Sequence, residues 1–197
     1  MYGVLGEDKS DVEILKVLIR KLAANEKITI KTKGYSGGGE MMKQGKQQLN
    51  LFKNLGCCRF IICYDADGEK LEKRYEKVVN QIVTPSDLKK EAAIGIVIPV
   101  QEIEAWILAN IEVVTQIFRN WQPKPVSNPE SIDHPKEYLE KLSRDAKGKP
   151  RYSHAIHNAR VAQYLNLNKI RQKCPSFKPL VDLVTLGTGN YPKNLML

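Results

Sequence analysis

The sequence predicts an α/β protein with a central, mostly parallel four-stranded sheet flanked by helices. Three observations support this prediction. Short apolar segments alternate with longer segments of helical periodicity up to residue 100, and one of the short apolar segments is a continuous apolar run. After residue 102 the sequence predicts only helices and loops. Strands that alternate with helices are typical of βαβ units, in which the strands run parallel. We therefore divide the chain into an α/β core, residues 1–120, and a helical extension or cap packed on it, residues 121–197.

Four segments have strand patterns. Residues 2–5 form a short apolar opening strand, residues 28–32 (ITIKT) alternate β-branched side chains, and residues 94–99 (IGIVIP) form the last strand. Residues 60–64 (FIICY) are apolar throughout, as expected of a central strand that is covered on both faces. Helical periodicity or composition marks the segments between and after the strands, at residues 10–24, 40–54, 69–82, a segment after the turn at 84–87, 104–111, 113–121, 136–144, 153–165 and 177–184.

The charge of the chain is basic and unevenly distributed. Lys and Arg number 31 against 22 Asp and Glu, a net charge of +9; residues 1–110 contain 17 basic and 15 acidic residues, and residues 111–197 contain 14 and 7. A basic segment beside an acidic one suits a polyanionic partner such as nucleic acid. No apolar stretch approaches the roughly 20 residues that span a bilayer, so we expect no membrane span. The N-terminal segment becomes acidic at Glu7, which argues against a signal peptide. We therefore expect a cytoplasmic protein, in which the cysteines are reduced.

Acidic residues follow three of the four predicted strands. Glu7 follows the first strand, Asp65 and Asp67 follow the third, and Glu102 and Glu104 follow the fourth. Ligands of an open parallel sheet collect at the carboxyl ends of its strands, so these side chains are expected at one edge. Neighbouring carboxylates repel one another unless a cation or protons intervene, and Mg²⁺ or Mn²⁺ with oxygen ligands is the natural solution.

Each acid also has an ordinary structural interpretation. Asp65 and Asp67 are candidates for turn formers, with Gly68 supplying backbone freedom, and Glu69 is a candidate N-terminal charge of the next helix. Ser10 is positioned to cap the first helix with Glu13 as its partner, which leaves Glu7 outside the cap. Glu102 and Glu104 open a helix, and we prefer Glu104 as the functional member because Trp106 follows it closely.

The motifs GEDKSD, ICYDADG, IPVQEIEAWILA, HPKEYL and CPSFKPL run through nearly the whole chain. This pattern resembles the Toprim superfamily, and in particular the small stand-alone Toprim-like proteins of bacteria and archaea, which include RloB-like proteins and are related to OLD-type nucleases. The resemblance implies a Rossmann-like Toprim fold, a general acid/base or metal ligand at Glu7, and metal ligands at Asp65 and Asp67. It implies a further acidic position at Glu104, and Glu69 stands where some Toprim proteins have a third aspartate.

The expected activity is Mg²⁺-dependent phosphodiester chemistry on DNA or RNA, of the Toprim nuclease type, as an effector in phage defence. Candidate contacts to the substrate are basic side chains, which also suit an ordinary solvated surface: Lys9, Lys70, Arg151, His154 and Arg160. The alternative is a non-catalytic subunit that binds metal or nucleotide and acts with a partner ATPase; assembly as a homodimer is also left open. A receiver domain, a haloacid-dehalogenase-like phosphatase and a Walker NTPase fit the positions of the acids and glycines less well.

Overall fold

The computed structural model describes residues 1–88 and 92–190 of the chain. Its centre is a sheet of four parallel strands in the order β2-β1-β3-β4, which confirms the predicted fold class. The pairing places Val4 of β1 between Thr32 of β2 and Ile61 of β3. The strands are β1 Tyr2–Gly6, β2 Ile30–Gly34, β3 Arg59–Cys63 and β4 Ala93–Val97.

Helices cover both faces of this sheet. They are α1 Lys9–Leu22, α2 Gly38–Asn54, α3 Leu71–Val78, α4 Glu104–Leu108, α5 Pro135–Leu142, α6 His154–Ala162, α7 Leu167–Lys173 and α8 Lys178–Thr185. A π-helical turn, Val79–Val83, continues α3, and 3-10 turns lie at Ile111–Gln116, Pro129–Ser131 and Pro175–Phe177. No helix among the described residues is long and apolar enough to cross a membrane.

Alternate side chains of the strands enter two separate hydrophobic cores. Val4 and Ile61 face one core, which α1 and the helices after residue 104 complete. Leu5 and Ile62 face the other core, which α2, α3 and the π-helical turn complete. This alternation follows from the two-residue period of a strand, and because both faces are covered the central strands are apolar throughout. The helices of the C-terminal part therefore share one core with the first strand and the first helix.

Several predicted boundaries differ from the observed ones. β2 begins and ends two residues later than the pattern at 28–32 indicates, because pairing with β1 sets its limits. The predicted helix at 113–121 is wrong: residues Ile111–Gln116 form a 3-10 turn, and Phe118 and Trp121 pack edge to face in an aromatic group with Tyr152. Helix α7 was not predicted. The helix expected after the turn at 84–87 falls largely on residues 89–91, which lie outside the described residues.

Candidate metal centre

The acid after β1 and the acids after β3 meet at the carboxyl edge of the sheet. Glu7 Oε1 accepts a hydrogen bond of 2.8 Å from the backbone N–H of Asp65. The backbone carbonyl of Glu7 accepts a hydrogen bond of 2.9 Å from Gly37 N–H, at the start of α2. Gly38 lies so close that a β-carbon there would stand 2.9 Å from Glu7 Oε2 and 2.6 Å from the ring of Tyr64. Glu7 is thus fixed by the turn after β3 and by the N-terminus of α2.

The turn after β3 has a left-handed backbone. Asp67 and Gly68 have φ values of 47° and 77°, so Gly68 plays the conformational role that the sequence predicts, whereas Asp67 adopts a conformation that few residues other than glycine favour. The turn is tied to the segment after β4, because Ala66 N–H donates to Pro99 O at 3.0 Å and Asp67 N–H donates to Gln101 O at 3.2 Å. These bonds hold the Asp65–Asp67 turn beside the chain that leads to Glu104.

Three carboxyl groups lie inside the protein beneath this edge. Asp11 on α1 and Glu104 on α4 are 5% and 3% exposed, and Asp65 Oδ1 is inaccessible to solvent and has no hydrogen-bond partner among the described residues. Burial, followed by repulsion from neighbouring acids, raises the pKa of Asp65 and of Asp11 well above the usual range. Burial also raises the pKa of Glu104 and of Glu7. We call the set Glu7, Asp11, Asp65 and Glu104 the acid centre.

Asp11 was not predicted as a member of the site, and the helix cap was assigned to the wrong residues. Asp8, not Ser10, caps α1: its Oδ1 accepts from the backbone N–H of Ser10 and of Asp11, and Asp11 Oδ2 accepts from Asp8 N–H at 3.0 Å. The box partner is therefore Asp11 instead of Glu13. The Ser-x-x-Glu pattern favours Ser10 as the cap, but an Asp-x-x-Asp pattern begins two residues earlier and matches the capping box that Asp8 and Asp11 form.

Arg74 on α3 is a second residue that the sequence did not indicate. Its Nε donates to Ala66 O at 3.1 Å and lies 3.2 Å from Glu69 Oε2, and its Nη2 lies 3.6 Å from Asp67 Oδ2. The guanidinium also contacts the ring and the hydroxyl of Tyr64. Arg74 therefore joins both exposed acids of the turn, and Glu69 is an ion-pair partner of Arg74 and not a member of the buried set. A basic residue one helical turn into α3 was the only available signal.

The structure separates the two acids that follow β4. Glu104 Oε1 accepts a hydrogen bond of 2.8 Å from Asn158 Nδ2 inside the protein. Glu102 is turned towards α5, where its carboxylate accepts from the backbone N–H of Lys136 at 2.9 Å and lies 3.9 Å from Lys136 Nζ. Glu104 therefore lies with the buried acids and Glu102 does not, and the functional role of Glu104 stays a prediction.

The predicted basic side chains do not form one group. Lys9 and His154 line the same cavity of about 320 Å³ between α1 and α6, and His154 Nδ1 lies 3.4 Å from Glu140 Oε1. Arg151 and Arg160 are exposed before and on α6, and Lys70 is exposed at the start of α3. Two of the five predicted side chains, Lys9 and His154, are thus brought together at one cavity.

Within the described residues, no group of three or more His, Cys, Asp or Glu side chains is arranged closely enough to hold a metal ion. Asp67 is half exposed and faces Arg74, whereas Asp65 Oδ1 is inaccessible to solvent. The two aspartates of the turn therefore point to different surroundings. The metal ligands Glu7, Asp65, Asp67, Glu69 and Glu104 stay predictions.

These features define an α/β protein whose acid centre lies at the carboxyl edge of a four-stranded parallel sheet. The chain belongs to the family described as a domain of unknown function (DUF4276), whose model matches residues 6–184. The match begins at the end of β1 and ends within α8, so it includes the acid centre and the C-terminal helices. No curated protein and no solved structure shows significant similarity to the chain.

Proposed function

We propose that this protein cleaves phosphodiester bonds of nucleic acid with Mg²⁺ or Mn²⁺, as the resemblance to Toprim nucleases implies. The observation that carries the proposal is the hydrogen bond from the backbone N–H of Asp65 to Glu7 Oε1, which brings two acids that are distant in sequence to the same edge of the sheet. Metal-dependent nucleases need clustered carboxylates that can neutralise and orient a phosphate through a cation. The cytoplasmic location and the role in phage defence belong to the same proposal, whereas a partner ATPase belongs to the alternative of a non-catalytic subunit.

The chemistry of the acid centre suits a divalent cation, although its carboxyl groups are not spaced closely enough to enclose one by themselves. Asp65 Oδ1 is buried without a hydrogen-bond partner among the described residues, and the charges of Glu7, Asp11 and Glu104 all oppose its ionisation. A cation would relieve this repulsion and supply the missing partner. Mg²⁺ usually takes only one or two carboxylates and completes its coordination with water and substrate phosphate. A set that does not enclose the ion before substrate arrives is compatible with this behaviour.

The roles of the side chains follow from where they lie. Glu7 has a raised pKa because it is buried, and this brings its carboxylate closer to the basicity that removing a proton from water requires. Asp65 is the buried candidate ligand, and Asp67 is the exposed acid next to solvent, where a phosphate approaches. Arg74 keeps the turn in shape and adds positive charge beside it. A bound divalent ion would offset the charge of the scissile phosphate and acidify a water ligand.

Nucleic acid is the proposed substrate because of the charge distribution. The segment 111–197 has 14 basic and 7 acidic residues, and the cavity that Lys9 and His154 line lies between this segment and α1. Contacts between Lys or Arg and phosphates release counterions, so binding should weaken steeply as the salt concentration increases.

The test is incubation of the purified protein with supercoiled plasmid, single-stranded DNA and tRNA, each with Mg²⁺, Mn²⁺ or EDTA. We expect metal-dependent cleavage of at least one substrate, and loss of cleavage in Glu7→Gln, which keeps an oxygen to accept from Asp65 N–H but cannot act as a base. Glu72→Gln, on the exposed surface of α3, is the matched control and should cleave normally. If the wild type cuts nothing but is stabilised by Mn²⁺, the non-catalytic metal-binding subunit becomes the better description.

A further inference from the structure

Asn158 of α6 is buried at 1% exposure beneath the acid centre. Its Nδ2 donates to Glu104 Oε1 at 2.8 Å and to Ser10 Oγ at 3.3 Å. Its Oδ1 accepts from the hydroxyl of Tyr152. One side chain from the C-terminal part thus joins α4, the first turn of α1 and the chain that leads into α6.

The orientation of this amide is fixed by its surroundings. A tyrosine hydroxyl that donates to Oδ1 leaves Nδ2 as the group that faces Glu104 and Ser10. Tyr152 is itself held, because its backbone N–H donates to Ser143 Oγ at 2.9 Å and its ring packs against Phe118 and Trp121. The donor to Glu104 is therefore supported by a buried hydrogen-bond network, and such networks hold a side chain in one arrangement.

The partner of Asn158 is the innermost member of the acid centre. Glu104 is 3% exposed, so it has little access to water as an alternative partner. A buried carboxylate that loses a hydrogen bond is left unsatisfied at a cost in free energy, so the bond from Asn158 favours the observed position of Glu104. Ser10, which Asn158 also contacts, directly precedes Asp11 and lies next to the capped end of α1. Asn158 therefore fixes the position of Glu104 relative to the helix that presents Asp11.

We propose that Asn158 is a positioning residue that holds the Glu104 carboxylate in the acid centre, so that the C-terminal helices are part of the metal centre and not only its cover. This inference rests on the proposed function, because it takes the acid centre to bind a divalent cation. Residues that orient metal ligands through hydrogen bonds typically change metal affinity by roughly 10- to 100-fold when they are replaced.

The experiment compares Asn158→Ala with Asn110→Ala in the full chain. Asn110 is a matched control because it is also buried, at 3% exposure. Its Oδ1 accepts a hydrogen bond of 2.8 Å from Asn166 N–H, so it too joins the segment after α4 to the C-terminal helices, but away from the acid centre. Calorimetric titration with Mn²⁺ alone measures affinity, and urea denaturation in EDTA measures stability. We expect similar losses of stability in both variants and a roughly tenfold loss of Mn²⁺ affinity only in Asn158→Ala.

Each result decides a different point. Equal Mn²⁺ affinity in Asn158→Ala and the wild type would overturn the positioning role and leave the proposed function intact, and so would equal weakening in the two alanine variants. No Mn²⁺ binding by the wild type would refute the proposed metal centre, and the positioning role would fall with it. If Asn158→Ala does not fold, Tyr152→Phe takes its place, since this substitution removes only the hydroxyl that orients the Asn158 amide. Tyr152→Phe should weaken Mn²⁺ binding by a few fold. Unchanged Mn²⁺ binding would count against the positioning role of Asn158.

Discussion

Replacing Asp65 with asparagine should stabilise the protein in the absence of metal, although Asp65 Oδ1 is a buried polar atom. Its carboxyl group lies among Asp11, Glu104 and Glu7, and burial together with their charges raises its pKa well above the usual range. Its Oδ1 has no hydrogen-bond partner among the described residues. Asparagine has the same shape, carries no charge, and offers an N–H₂ donor to the surrounding carboxylates. The substitution therefore removes a repulsion and supplies a donor.

The magnitude follows from the link between pKa and stability. A raised folded-state pKa means that the folded protein binds a proton that the unfolded chain has already released, so the stability of the wild type falls as the pH rises from the unfolded-state pKa to the folded-state pKa. One unit of pKa shift corresponds to about 1.4 kcal/mol. At pH 8 we expect Asp65→Asn to gain at least about 1 kcal/mol, or roughly 2–4 °C in Tm for a chain of this size. The gain should decrease as the pH is lowered and should vanish below about pH 3, where the unfolded chain is also protonated.

Metal should reverse this order of stability. At a concentration about one hundred times its Kd, a cation that binds only the folded wild type adds about 2.7 kcal/mol, which corresponds to roughly 5–11 °C. Asp65→Asn should lose most of this increment. Thermal unfolding followed by circular dichroism at pH 8, in EDTA and in Mg²⁺ or Mn²⁺, measures both effects.

The control is Asp145→Asn, because Asp145 Oδ1 only accepts from the backbone N–H groups of Lys147 and Lys149 in an exposed turn. It should match the wild type in both buffers. The reasoning is refuted if Asp65→Asn is less stable than the wild type in EDTA, or if it keeps the full metal-induced increase in Tm.

Two further predictions concern the surroundings of the acid centre, and a third concerns the contact between the end of α1 and the chain after α6. Gly38→Ala should lower stability by about 1–3 kcal/mol and weaken Mn²⁺ binding, because the added β-carbon would displace Glu7. Gly39→Ala is the control: its β-carbon would meet nothing within 4 Å, so Mn²⁺ binding should be unchanged. Urea denaturation measures the stability of both variants, and calorimetry measures their Mn²⁺ binding. Asp11→Asn should raise the urea midpoint of the metal-free protein at pH 8 and leave it unchanged below about pH 3, because burial raises the pKa of Asp11 and asparagine can still accept the capping hydrogen bond. A lower midpoint at pH 8 would contradict this. Lys21→Met should lower the free energy of unfolding by about 1–2 kcal/mol, since Lys21 Nζ donates at 2.7 Å to each of two carbonyls after α6. Urea denaturation measures this loss. A loss below about 0.5 kcal/mol, which is typical of exposed ion pairs, would show that these contacts contribute little.

Most of the sheet was predictable because its signals are local. The alternation of strand and helix patterns, and the apolar run that became β3, depend only on side-chain periodicity. The parallel arrangement then placed Glu7 near Asp65 without any knowledge of side-chain positions. The limits of β2 were wrong because they depend on its pairing with β1, in which Ile30 lies opposite Tyr2 and Gly34 opposite Gly6. Pairing is a non-local property that a single strand pattern does not contain.

The inner part of the site could not be predicted in the same way. Asp11 lies in a helix whose periodic pattern describes apolar residues, so an acid on the buried face is visible only once the neighbouring elements are in place. Arg74 reaches back to the turn from α3, and Asn158 comes from a helix nearly a hundred residues after β3. Their contacts are set by tertiary packing, which carries no signature in the spacing of charged residues.

The buried acids explain why the C-terminal helices and the sheet belong together. Asp11 and Glu104 are hidden from water by the same packing that joins Val4 and Ile61 to the C-terminal helices in one core. Burying like charges lowers stability, so an arrangement of this kind persists where the rest of the fold compensates and where the charges serve a purpose. A large shared core supplies the compensation, and Asn158 supplies one of the few neutral donors. The acid centre is therefore a property of the whole chain, because a sheet with its first helix alone would leave these carboxylates in water and without the repulsion that favours a cation.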